Sequence, residues 1–127
     1  MRKRNFSNGG VTNMKVLKDP DRVLRVMDAK LDELRKSRKR FPELPGKGVA
    51  EIYGQETAII HIAAYIRYAI KDHGCFGEEA MARVYDYVED TEEEANKYYH
   101  NPLVTWFAKG LAKGAAWACV GLEARME

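Results

Sequence analysis

The chain has 127 residues and a mass of 14.5 kDa, the size of one domain able to bury roughly two-thirds of its unfolded surface. It is 46% hydrophobic and 31% charged, with a net charge of +2, which excludes an intrinsically disordered chain. Two cysteines exclude a disulfide-stapled mini-domain and a four-cysteine zinc site.

The near-neutral total conceals a split. Residues 1–47 carry 14 Lys/Arg and 6 Asp/Glu, whereas residues 48–127 carry 7 and 13. Eight carboxylates lie between Glu78 and Glu94, with Arg83 as the single cation among them. Such asymmetry concerns partners more than fold. Either the two halves face each other, within a subunit or between copies, or the basic half meets a polyanion.

Residues 1–18, with Asn8-Gly9-Gly10, read as a mobile basic arm containing a short extended piece over Val11–Leu17. Met1-Arg2-Lys3-Arg4 is not followed by an apolar stretch, so no signal peptide and a cytoplasmic protein are expected. Residues 19–127 read as a single α-helical domain. Asp19-Pro20 supplies an N-cap acceptor and a proline at the first helical position. From there Val23, Leu24, Met27, Leu31 and Leu34 recur within about a 100° arc. The helix closes on Lys36-Ser37-Arg38-Lys39-Arg40, where cations suit the negative end of the dipole, and Phe41 to Gly48 breaks it.

A second helix is expected from about Val49 to Asp72, with Ile52, Ile59, Ala63, Ile66 and Ile70 on one face and Ile62 and Ala69 widening it. Gly74-Cys75-Phe76-Gly77 ends it, Gly74 being a natural C-cap. The third helix starts near Glu78 and directs Met81, Val84, Tyr85 and Val88 inward. Thr91-Glu92-Glu93-Glu94 matches a capping box, which predicts a restart running to His100. Asn101-Pro102 opens the last helix, Leu103 to about Arg125, with Phe107, Leu111, Ala115, Ala118 and Leu122 on one side. The fold expected is all-α: a compact bundle of four to five helices. Lys109 and Lys113 lie near the middle of the last helix and would each cost about 2.5–3.5 kcal/mol in a bilayer, so no membrane span is expected.

The last helix holds the most informative pattern. Gly110, Gly114 and Gly121 fall within about 40° of one another on the helical wheel. Each costs up to about 1 kcal/mol relative to alanine. Something therefore approaches the backbone closely, either the second helix of the same chain or the last helix of another subunit. Beside them run Trp106, Gly110, Lys113 and Trp117. A lysine between two indoles reads as a cation–π stack, a platform for a planar anion such as a nucleotide, or a pair of core anchors. Lys36, Arg38, Lys39 and Arg40, with Lys109, form the candidate anion-binding set, for phosphate or nucleic acid.

Asp86, Asp90 and Glu94 share one helix face and are the candidate metal ligands of a hydrolase reading. His61, with Thr57, Tyr65 and Tyr68 on its side, reads as a hydrogen-bonded structural histidine or a general base. No catalytic set and no cofactor motif emerges. In style the chain is similar to small accessory proteins of phages and mobile elements, with no motif to carry residues across. The leading expectation is a non-enzymatic helical interaction protein. It would self-associate through Gly110, Gly114, Trp117 and Gly121 and bind another protein, and Gly114→Leu would break the assembly without loss of helix. The alternatives are a binder of an anionic small molecule and a metal-dependent hydrolase.

Overall fold

The computed structural model describes residues 15–40 and 46–127. Among them are four helices: α1 (Pro20–Arg40), α2 (Gly46–His73), α3 (Glu78–Ala95) and α4 (Pro102–Glu123). They pack together, with no strand among the described residues. The expected piece at Val11–Leu17 and the break at Phe41 to Gly48 fall largely outside the described residues.

Both proline starts form as expected from local chemistry. Asn101 Oδ1 accepts from the Leu103 amide at 2.9 Å, with Pro102 as the first helical residue. Asp19, in the left-handed region with φ 51°, accepts from the Arg22 amide through its side chain at 3.2 Å. Aspartate tolerates that backbone conformation better than most residues because its short polar side chain bonds locally.

The core is a single cluster. Val23, Met27, Leu31 and Leu34 of α1 meet Ile59, Ile62, Ala63 and Ile66 of α2, with Met81 and Val84 of α3 and Ala115, Ala118 and Leu122 of α4. α2 is the central element, and its most extensive interface is with α4. That interface is unusually close because glycines line it on both sides. A Cβ on Gly54 would meet the Phe107 carbonyl and come within 2.7 Å of the Leu111 amide. A Cβ on Gly114 would lie 2.6 Å from the Gln55 carbonyl oxygen. The backbones touch where side chains would otherwise hold them apart.

Three expectations are corrected. α2 starts at Gly46, a turn before Val49. α3 does not restart at Thr91: the residue is buried mid-helix, its hydroxyl donates back to the Val88 carbonyl at 2.7 Å, and the helix stops at Ala95. A back-bonded threonine cannot act as an N-cap. The arm expected to be mobile to residue 18 is instead tied down over residues 15–18. Val16 and Glu127 exchange both backbone hydrogen bonds, the Leu17 amide donates to Phe76 O at 2.8 Å, and Leu17 is buried. Phe76, in the turn after α2, is among the largest fully buried side chains. The segment before α1, the α2–α3 turn and the chain end thus close one end of the bundle.

Candidate functional site

The glycine seam divides into two parts with different fates. Gly110 and Gly114 are buried against the backbones of Glu51 and Gln55 on α2. They are taken up inside the chain, which corrects the expectation of a subunit seam through these two positions. Gly114→Leu would therefore strike the fold itself. Gly121 is exposed, has an ordinary helical backbone, and among the described residues a Cβ there would meet nothing within 4 Å. Packing among the described residues does not explain it.

What Gly121 borders is an apolar groove between α1 and α4, with a volume of about 430 Å³. Its walls are Val23, Val26 and Met27 of α1 and Ala116, Trp117, Val120 and Gly121 of α4, with Arg125 at one end. Three large apolar side chains here stand in solvent: Val26 is 44% exposed, Trp117 36% and Val120 65%. At the end opposite Arg125, the Lys30 ammonium lies 5.6 Å from the Trp117 ring and 3.1 Å from Glu33. Sequence reasoning marks Trp117 and Gly121 but misses Val26, Val120 and Lys30. The available signal is that Val26 falls outside the α1 core arc and Val120 outside the buried side of α4.

The remaining candidates do not assemble into sites. The expected lysine between two indoles is three separate contacts. Lys109 sits 4.5 Å from the Trp106 ring, Lys30 serves Trp117, and Lys113 reaches Glu51 at 4.0 Å. Of the basic run, Arg38 is withdrawn from any external anion. It donates to both oxygens of the buried Glu56 carboxylate at 2.6 and 3.1 Å and stacks over Tyr53 at 4.2 Å. The Glu56 hydrogen bond holds the Arg38 guanidinium above its usual pKa. Lys36, Lys39 and Arg40 are exposed.

Among the described residues, no three His, Cys, Asp or Glu side chains converge to hold a metal ion. Glu94, one of the three candidate ligands, is bonded instead to Lys97 and to the Tyr99 hydroxyl, which hold its carboxyl below the usual carboxylate range. Asp86 keeps one buried oxygen without a hydrogen-bond partner among the described residues, and Asp90 is exposed. His61 Nδ1 lies 2.8 Å from the hydroxyl of Tyr87 on α3, not a tyrosine of its own helix. Burial and then the neighbouring Tyr65 push the Tyr87 hydroxyl up to about 12.

No helix among the described residues is long and apolar enough to cross a membrane. No protein-family model matches the chain, and it has no match among curated proteins or solved structures.

Proposed function

We propose that this is a small helical interaction protein that acts by docking another protein chain in the groove between α1 and α4. The observation that carries the reading is Trp117 exposed between Val26 and Val120 over an open groove floor at Gly121. Fully burying an apolar side chain of this kind is worth about 1.5–3 kcal/mol. Three of them clustered on one concave surface form the anchor arrangement typical of protein interfaces, where tryptophan is enriched. A second copy is a poor occupant. A two-fold contact at this groove would place Lys30 and Arg125 of one subunit against the same cations of the other.

A photo-crosslinking residue placed at Val120, in the cells that make the protein, tests this against the same residue placed at the exposed Glu92 on α3. The reading predicts a discrete protein adduct from position 120 that is absent from position 92. Equal labelling at the two positions, or none at 120, would overturn it.

A further inference from the structure

The groove also specifies what fits it. Along α4 it extends from Ala116 to the helix end at Glu123, seven residues or about 10 Å at 1.5 Å per residue, and Arg125 lies two residues past that end. That is about two turns of a partner helix, and a partner helix in such a groove anchors through apolar residues at i, i+3 or i+4, and i+7. The walls between the two ends carry no charge: Val23, Val26, Met27, Ala116, Ala118 and Val120 are all aliphatic or thioether.

Each end carries a cation. Lys30 stands beside Trp117, and its partner Glu33 is exposed, so that pair contributes little and is readily exchanged for another carboxylate. Arg125 closes the other end. Lys113, one turn before Trp117, already faces Glu51. Gly121 completes the pattern, because a glycine in the last turn of α4 with no described residue against it keeps that part of the groove clear for an inserted side chain. A volume of about 430 Å³ accepts two or three large aliphatic side chains.

We infer that the occupant is an amphipathic helix of a different protein, apolar over two turns and carrying Asp or Glu one turn beyond each end of its apolar stripe. Its apolar stripe fills the groove over Gly121 while its flanking carboxylates pair with Lys30 and Arg125. This inference rests on the groove being a docking surface and adds the chemistry of what docks there.

The test uses the full chain carrying Trp106→Phe, so that Trp117 is the single indole. Its emission is titrated with three synthetic helical peptides of 14 residues. The first has Leu at i, i+3 and i+7 flanked by Glu, the second has the same Leu residues flanked by Lys, and the third has Ser in place of Leu with Glu flanks. The Glu-flanked Leu peptide is expected to shift Trp117 emission to the blue and to bind at least tenfold more tightly than the Lys-flanked one, with the advantage shrinking as salt is raised. The Ser peptide is expected not to bind.

Lys30→Glu with Arg125→Glu should reverse the preference for flanking charge, and Gly121→Leu, which fills the floor, should abolish binding of both Leu peptides. Equal affinity for the two Leu peptides would overturn the acidic partner while leaving the groove as a docking surface. An adduct from position 120 together with no response to any of the peptides would overturn the helical occupant alone, and an adduct of the mass of two copies of this chain would overturn the different-protein occupant. Undiminished binding to the Gly121→Leu chain would overturn both the occupant and the groove.

Discussion

Alanine substitutions at Gly110 and Gly121 should change stability in opposite directions, although the two glycines lie on the same side of α4. At Gly110 an added methyl would overlap the Glu51 carbonyl oxygen, and it would stand 2.8 Å from the Glu51 carbonyl carbon and 3.0 Å from its Cα. Carbon atoms pack at about 3.5–4.0 Å and the overlap with the oxygen is deeper still, so α4 must retreat from α2 by about 1 Å or more, and the obstacle is backbone on both helices. A gap of that size forfeits about half or more of the dispersion energy along the contact. Overpacking of this kind costs about 1–3 kcal/mol, and its upper end applies because no side chain can swing aside. Helix propensity returns about 1 kcal/mol, leaving a net loss near 2 kcal/mol.

At Gly121 the methyl meets nothing within 4 Å, so the propensity gain of about 0.5–1 kcal/mol stands alone. At about 3–5 °C per kcal/mol for a domain of this size, the two variants should melt roughly 10 °C apart, on either side of the native protein. Circular dichroism at 222 nm, followed with temperature and confirmed in urea, reads this directly. A Gly110→Ala protein that melts at or above the native one would refute the close-crossing account of the α2–α4 interface.

Arg38→Ala should destabilise by about 1.5–3 kcal/mol, because it removes two charge-assisted hydrogen bonds from the buried Glu56 carboxylate. Lys39→Ala, at an exposed position on the same run, should stay within about 0.5 kcal/mol; equal effects in urea denaturation would show that the Arg38–Glu56 pair adds nothing. Leu17→Ala should cost about 2–4 kcal/mol, since Leu17 is buried and held by the Phe76 carbonyl; a melting curve like the native one would mean that residues 15–18 are not part of the fold. Tyr87, with its hydroxyl raised to about 12, keeps its proton in the folded chain while an ordinary tyrosine near 10 loses it on unfolding. Stability should therefore fall as pH rises from about 10 to 12, and Tyr87→Phe should flatten that part of the profile. A profile unchanged by the substitution would place the alkaline loss elsewhere.

The parts of this fold written in local chemistry are legible in the sequence. Asp19-Pro20 and Asn101-Pro102 mark helix starts because cap and proline act on their own turn, and the α1 and α2 core faces follow from periodicity. The Thr91 signature fails because the same residue pattern serves a cap or a buried back-bond, and tertiary burial decides between them. Leu17 and Phe76 escape notice because their burial depends on chain segments far apart in sequence meeting at one end of the bundle.

The glycine face of α4 is legible as a close-approach surface. What it meets is not, since periodicity says which residues share a face and nothing about the element opposite. For the same reason the sequence groups Trp106, Lys113 and Trp117, whereas the contacts formed are Lys109 with Trp106, Lys113 with Glu51 and, across helices, Lys30 with Trp117.

Gly121→Leu is the sharpest probe of the groove, because its Cβ meets no described residue within 4 Å and the rest of the side chain enters the groove. With a photo-crosslinking residue at Val26, on the opposite wall, adduct yield in the producing cells can be compared between the native chain and a Gly121→Leu chain that melts no lower. Loss of the adduct in the filled groove is the result expected if partners dock there. An adduct formed in equal yield in both would show that the partner is held elsewhere on the protein.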